Sequence, residues 1–152
     1  MTTMTAFDTA RFGTIQFGPE DIVTFEEGLI GLSDLKAFVL IQHKEDSPFR
    51  WLQSLDEGNI AFLVVDPAAY TSNYNPEMPE SATTALNLSE ETPILVYTVC
   101  TIPNGNPRGM TLNLAGPVVI NAESRRARQV VLEDESCPVR FAVFDDQKSQ
   151  VA

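Results

Sequence analysis

The chain has 152 residues, of which 43% are apolar, and its 21 acidic residues against 10 basic ones give a formal net charge of −11. A chain of this length fits one domain with an ordinary hydrophobic core. The negative charge repels phosphate backbones, so direct nucleic-acid binding is not expected, whereas a basic protein partner would be attracted. Two cysteines outside any Cys-x-x-Cys pair, and no secretory signal at the N-terminus, favour a cytoplasmic protein with reduced thiols. No apolar run approaches the roughly 18 residues that a membrane-spanning helix needs.

Strand-like segments follow one another along the chain at short intervals. They are rich in Val, Ile, Phe and Thr, and turn residues such as Gly58-Asn59 separate them. The predicted strands are Thr14–Phe17, Asp21–Phe25, Phe38–His43, Trp51–Leu55, Ile60–Asp66, Pro93–Ile102, Met110–Leu114, Pro117–Asn121, Arg128–Glu133 and Val139–Phe144. The pattern indicates an antiparallel sandwich or a small barrel, and we predict an all-β, antiparallel, barrel-like domain.

Helix is expected mainly in the long connection Pro67–Thr92, which should hold one or two short helices. Pro79–Leu88 is predicted to form two or three turns with Pro79 at the first helical position, and Ser33–Lys36 could form a single turn. So long a connection in a compact β domain is more often functional or mobile than neutral. We predict a disordered N-terminus over residues 1–12, one domain over residues 13–145 and a disordered tail over residues 146–152.

Side chains suited to catalysis are few. His43 is the only histidine, so the His-rich metal sites of many β-barrel enzymes cannot be built. Cys100 lies in an apolar run and is interpreted as a buried structural thiol, whereas Cys137 is expected to be exposed. Asp56-Glu57 are interpreted as part of a hairpin turn. We therefore expect no catalytic residue, no metal and no cofactor, and a small carboxylate-dependent hydrolase on a β scaffold is the alternative.

The corner Asp66-Pro67 closes a strand that is apolar throughout, as expected for a strand buried on both faces. Proline ends a hydrogen-bonded ladder, and an Asp before it can accept hydrogen bonds from N–H groups of the following turn. We predict that Asp66, Pro67 and Trp51, on the preceding strand, are structural anchors.

A basic run, Ser124–Arg128, lies between two segments that look like the arms of a hairpin, "GPVVIN" and "RQVVLED". A basic hairpin tip is a modest signal for phosphate binding. A solvated turn is the simpler interpretation, and the surrounding acids favour it.

Taken in order, five segments of the chain resemble the FliW family of bacterial flagellar assembly factors. They are "DIVTFEEGLIGLSDLKAFVLI" (21–41), "SPFRWLQSLDEGNIAFLVVDP" (47–67), "VYTVCTIP" (96–103), "MTLNLAGPVVIN" (110–121) and "RQVVLED" (128–134). The resemblance covers roughly residues 12–135 and is specific in the combination of its parts. It implies a small β-barrel-like fold without catalysis.

The resemblance also implies a binding role. Proteins of this family bind flagellin in the cytoplasm, and they bind the RNA-binding repressor CsrA and thereby relieve repression of flagellin translation. Two segments depart from the family pattern: Ala68-Ala69 stand where bulky aromatics are usual, and residues 136–152 match no family pattern. The implied partners are therefore flagellin and a CsrA-type repressor, and we expect a monomer.

Exposure and charge, rather than the resemblance, select the candidate partner-binding residues. Tyr70 and Tyr74 lie among turn-formers in the long connection and could anchor flagellin. The alternative is that both rings fold back onto the barrel. Glu133, Asp134 and Glu135 form an acidic patch that could attract the basic repressor.

Overall fold

The computed structural model of the chain describes residues 4–42, 44–72, 74–134 and 136–144. The strands are β1 (Thr5–Thr9), β2 (Gly13–Phe17), β3 (Ile22–Phe25), β4 (Ala37–Ile41), β5 (Phe49–Ser54), β6 (Ala61–Val65), β7 (Ile94–Thr101), β8 (Thr111–Leu112), β9 (Val118–Asn121), β10 (Arg126–Gln129) and β11 (Phe141–Ala142). Helix α1 spans Glu80–Ala85, and single 3-10 turns span Pro19–Asp21, Pro67–Ala69, Pro103–Gly105 and Pro107–Gly109. The predictions for His43, for Glu135 and for residues 146–152 lie outside the described residues.

Seven of the strands in the described part of the chain close into a barrel. The order around it is β3, β4, β5, β6, β7, β9 and β10, and β10 pairs back with β3. Every seam is antiparallel except the parallel seam between β10 and β3. Strands β8 and β11 extend from β7, and β1 and β2 form a separate hairpin. The predicted all-β, barrel-like fold is confirmed.

Alternation along the strands fills the barrel with apolar side chains. In β3, Val23 and Phe25 are fully buried and Thr24 between them is exposed, which is the period of two that a strand imposes. Phe25 meets Phe38 of β4 edge-to-face with ring centroids 5.2 Å apart. Each such side chain contributes about 1.5–3 kcal/mol by burial, so this core is the main source of stability.

Within residues 4–12, the N-terminal hairpin differs from the disorder predicted there. Strand β1 pairs antiparallel with β2 over its whole length, from Thr5 opposite Phe17 to Thr9 opposite Gly13. The Ala10 N–H donates to the Gly58 carbonyl at 2.9 Å and ties the hairpin to the turn between β5 and β6. Most of β1 is exposed, so its sequence carries little of the apolar alternation that identifies a strand.

Helix α1 is shorter than predicted and begins one residue later, with Pro79 as its N-cap. It ends because Asn87 adopts a left-handed conformation (φ 53°), which asparagine tolerates better than most residues. Ala82 and Leu86 of the helical region are buried against Val119 and Val130. No helix in the described ranges is long and apolar enough to cross a bilayer.

The basic run does not form a free hairpin tip. Strand β10 begins at Arg126, and the two predicted arms do pair as an antiparallel hairpin of β9 and β10. Arg126 forms an ion pair with Glu26, and Arg128 forms one with Glu27 at 3.3 Å. Two of the three arginines in the run thus pair with acids that follow β3, whereas the Arg125 guanidinium donates to the Asp21 backbone carbonyl at 3.4 Å.

Candidate protein-binding surfaces

The corner after β6 has the predicted geometry. The Asp66 Oδ1 atom accepts a hydrogen bond from the Ala68 N–H at 2.9 Å, and Asp66 caps the 3-10 turn that Pro67 begins. Pro67 is buried, whereas Asp66 is exposed. The acid therefore holds a surface turn and is not a buried acceptor, and its role as an anchor stays a prediction.

Trp51, on β5, packs against the N-terminal hairpin of β1 and β2. Its ring lies edge-to-face with Phe12 at a centroid distance of 5.9 Å, and the Arg11 guanidinium stacks over it at 4.2 Å. A guanidinium over an indole face is attracted by the ring quadrupole, with about 0.5–1 kcal/mol at an exposed site. The contact gives the hairpin, which is outside the barrel, a fixed place on its wall.

Both tyrosines of the long connection lie against the barrel. The Tyr70 ring packs on Phe49 with centroids 6.1 Å apart, and the Tyr74 hydroxyl donates a 2.6 Å hydrogen bond to the Leu114 carbonyl. Burial raises the pKa of Tyr70 and of Tyr74 above the ordinary value for tyrosine. This is the folded-back arrangement named as the alternative, so the exposed-anchor geometry is wrong, and a binding role for either ring stays a prediction.

An acidic groove lies between the long connection and the chain after β10. It has a volume of about 490 Å³. Its lining residues are Pro76, Glu77, Pro79, Ser81, Val131, Leu132, Glu133 and Asp134. Val131 is 62% exposed, so the groove combines an apolar wall with carboxylates. Two of the three acids of the predicted patch are therefore placed together beside a third, Glu77, and Glu135 lies outside the described residues.

Asp134 stays charged in this groove. Its Oδ1 atom accepts hydrogen bonds from the Ser136 hydroxyl at 2.7 Å and from the Ser136 N–H at 2.9 Å. Hydrogen bonds to the ionised form favour that form, and they lower the pKa of Asp134 below its ordinary value. The groove therefore keeps this negative charge throughout the neutral range.

The two thiols differ in burial. Cys137 is buried with Leu112 and Leu114, which corrects the expectation that it is exposed. The segment around it is held down because the Leu114 N–H donates to the Pro138 carbonyl at 2.9 Å. Cys100 is half-buried, and desolvation raises the pKa of its thiol to about 12. Neither thiol has the environment of a reactive nucleophile.

The paired acids Asp56 and Glu57 are turn residues, as predicted. The Asp56 Oδ2 atom accepts from the N–H groups of Lys36 and Ala37 at 2.8 and 3.0 Å. The Ser54 hydroxyl oxygen accepts from the N–H groups of Asp56 and Glu57 at 3.1 and 2.9 Å. Within the described ranges, no group of three or more His, Cys, Asp or Glu side chains could hold a metal ion.

A second and larger hollow, which we name the rim groove, was not predicted from the sequence. Strands β3, β7 and β10 run in one direction, and the groove lies where they end. It has a volume of about 590 Å³, within the range of about 300–1,000 Å³ typical of ligand pockets. The side chains that define it include Ile30, Leu32, Phe62, Val99, Val139 and Arg140.

The segment "FEEGLIGL" builds one wall of the rim groove. Gly28 (φ 68°) cannot be replaced without strain, because a Cβ there would lie 2.6 Å from the Leu32 carbonyl oxygen. The Leu32 N–H donates to the Leu29 carbonyl at 2.8 Å, which closes a tight turn and leaves Ile30 at its tip. Gln129 holds the turn, because its Oε1 atom accepts from the Ile30 N–H at 3.0 Å. Gly28 and Gly31, spaced three apart, are the sequence feature that could have indicated a tight turn here, although not the groove.

Comparison with known proteins decides the family. The family model described as "FliW protein" matches residues 6–143 of the chain, which corrects the expectation that residues 136–143 fit no family pattern. The chain belongs to the FliW family.

Individual FliW relatives cover nearly the whole chain. The "Flagellar assembly factor FliW" of Thermoanaerobacter pseudethanolicus is 35% identical over 143 residues, which are 93% of this chain and 95% of that protein. The protein of the same name from Bdellovibrio bacteriovorus is 38% identical over 143 residues, 94% of this chain and 81% of the relative. A "Crystal structure of the flagellar assembly factor FliW" superposes with a TM-score of 0.86 at 29% identity, over 94% of this chain and 99% of the other. The barrel is thus the FliW fold.

Proposed function

We propose that the protein is a non-catalytic flagellar assembly factor. In this role it binds flagellin in the cytoplasm and antagonises the RNA-binding translational repressor CsrA, and so couples flagellin synthesis to its secretion. The observation that carries the proposal is membership of the FliW family over residues 6–143, together with relatives of that name that match nearly the whole chain.

The acidic groove supports the repressor half of this proposal. A repressor that binds RNA must be basic where it meets phosphate, because neutralising the phosphate backbone supplies much of the affinity. Glu77, Glu133 and Asp134 border the groove, and exposed Val131 adds an apolar contact beside them. Carboxylates around an apolar wall suit a basic partner, since charge steers the encounter and apolar burial holds the complex.

The arrangement of Asp56 and of the Cys100 thiol gives no support to the alternative hydrolase. Carboxylate catalysis of glycoside hydrolysis needs two carboxyl groups that face one cleft, about 5–9.5 Å apart according to mechanism. One carboxylate oxygen of Asp56 instead accepts hydrogen bonds from two backbone N–H groups, those of Lys36 and Ala37. The Cys100 thiol, with its pKa raised to about 12, is protonated at neutral pH.

Affinity capture tests the proposal directly. The full chain, immobilised at a single added tag, is incubated with lysate from a flagellated cell of the source species, and flagellin and the CsrA-type repressor are detected separately. We expect both partners to be retained and expect the repressor to be lost as salt rises, because surface charge is screened over about 8 Å at 0.15 M ionic strength. Capture of neither partner would overturn the proposed function.

A further inference from the structure

The rim groove leaves apolar side chains in contact with solvent. Ile30 is 59% exposed and Val139 is 62% exposed, and both line one continuous hollow with Phe62 and Val99 deeper in it. Single exposed apolar side chains are ordinary on a protein surface, whereas a hollow of about 590 Å³ that combines apolar side chains with polar ones such as Asn113 and Gln129 is typical of a binding site. The hollow has room for a few side chains of a peptide segment.

Arg140 gives this groove a charge opposite to that of the molecule. It is the only charged side chain among the described residues that line the groove, and no acid in the described ranges pairs with it. The chain as a whole carries a net charge of −11. A guanidinium beside an apolar wall selects a carboxylate, because its fork of N–H donors matches the two carboxylate oxygens.

We propose that the rim groove binds an apolar peptide segment of flagellin that carries a carboxylate. The carboxylate pairs with Arg140, and the apolar side chains of the segment cover Ile30 and Val139. The inference rests on the proposed function for the identity of this partner, and it adds the surface and the chemistry that recognise it. The acidic groove carries the opposite charge and would bind the basic repressor. The two partners would thus bind to different grooves because their charges differ.

Two substitutions in the groove test the inference, each with a matched control elsewhere. Arg140→Glu reverses the charge, and Lys44→Glu makes the same change in charge at an exposed lysine that does not line the groove. Ile30→Asp replaces the exposed apolar side chain at the tip of the turn with a charged one. Met4→Asp makes the same kind of change at an exposed methionine (53% exposed) that does not line the groove. Purified flagellin is titrated into each full-length variant by calorimetry, after thermal unfolding has shown that the variant is folded.

We expect Arg140→Glu and Ile30→Asp each to weaken flagellin binding at least about tenfold, while both control variants stay within about twofold of the unsubstituted chain. Overlapping flagellin peptides then locate the segment, and changing its carboxylate to an amide should weaken binding to the unsubstituted chain but not to Arg140→Gln. Equal binding by the groove variants and their controls would overturn the inference and leave the proposed function standing. If flagellin does not bind the unsubstituted chain, the proposed function is overturned. If the unsubstituted chain is a dimer in solution and Arg140→Glu dissociates it, a second copy of the chain occupies the groove and the inference is overturned.

Discussion

Asp66 is the acid at the protein surface that we predict to anchor the corner after β6. Its carboxylate accepts the Ala68 N–H at 2.9 Å and so occupies one of the donors that a helical turn leaves without a partner. Buried Pro67 follows it and ends the ladder of β6. We predict that this hydrogen bond stabilises the turn through which the long connection leaves the barrel.

Two substitutions of Asp66 distinguish the contribution of its hydrogen bond to stability from that of its charge. Asp66→Ala removes the acceptor and should lower the free energy of unfolding by about 0.5–2 kcal/mol, the range for loss of a capping side chain. Asp66→Asn keeps an acceptor oxygen and should cost less. Chemical denaturation of the three proteins measures both values. A loss of partner binding in Asp66→Ala with unchanged stability would show that Asp66 belongs to an interface.

The hydroxyl of Tyr74 is expected to make the stability of the protein depend on pH in the alkaline range. Burial and the hydrogen bond to Leu114 favour the protonated phenol, and the pKa of Tyr74 is raised above that of an unfolded chain, which is about 10. A group whose pKa is raised on folding contributes stability that is fully present below about pH 10 and is lost as the pH rises beyond it. We therefore expect stability to fall above pH 10 and to fall less steeply in Tyr74→Phe. Denaturation midpoints at pH 8, 10 and 11 for both proteins measure the difference, and parallel pH profiles would contradict it.

At the scale of elements, the turn after β3 fixes the wall of the rim groove. Gly28 and Gly31 both have positive φ, at 68° and 83°, and the chain between them presents Ile30 to solvent. Only at Gly28 is space lacking as well, since a Cβ would lie 2.6 Å from the Leu32 carbonyl oxygen and from the Ser33 Cα. The shape of the groove thus depends on one residue without a side chain.

The matched pair Gly28→Ala and Gly13→Ala isolates this effect. Gly13 has nearly the same φ, 67°, but a Cβ there would meet nothing within 4 Å. Gly13→Ala should therefore lower the free energy of unfolding by about 1–2 kcal/mol, because alanine is strained in the left-handed conformation. Gly28→Ala should lower it further, because backbone atoms must also move to make room for the Cβ. Thermal unfolding compares the two. Equal losses of stability would show that the turn adapts without strain.

Sequence patterns located the elements whose side chains alternate or pack, and they missed those that depend on distant contacts. Strands β4 to β7 were predicted nearly to their ends because their apolar runs are bounded by turn residues. Strand β1 was missed because most of its residues are exposed, and Cys137 was expected at the surface because nothing local shows that β11 pairs with β8. Neither groove could be predicted, since each is built from segments far apart in the chain.

At the scale of the whole molecule, negative charge is spread over the surface rather than gathered in one tail. Residues 1–76 carry 11 acids and 4 bases, and residues 77–152 carry 10 acids and 6 bases. The basic run on β10 is matched by Glu26 and Glu27, whereas the carboxylates of the acidic groove stand beside exposed Val131. A basic partner is therefore attracted to the whole molecule, and the groove offers it an apolar contact.

Charge reversal at the acidic groove should act mainly on the rate of association. Glu133→Lys with Asp134→Lys should slow association with the repressor and flatten its salt dependence, because rim charges steer the encounter more than they hold the complex. Surface plasmon resonance across a salt series measures both. The same reversal at exposed Glu90 and Glu91, which do not line the groove, is the control for net charge. Identical kinetics in the two double variants would remove the groove from the interface.

In the proposed function, the amount of free flagellin controls how much of the protein is available to bind the repressor. Because the two proposed grooves share no lining residue, this requires that flagellin binding weakens repressor binding through the fold, and thermodynamic linkage makes the effect reciprocal. The decisive measurement is a calorimetric titration of the repressor into the protein alone and into the protein saturated with flagellin. We expect flagellin to weaken repressor binding at least about fivefold, the lower end of ordinary coupling. Simultaneous binding of both partners with unchanged affinities would contradict it.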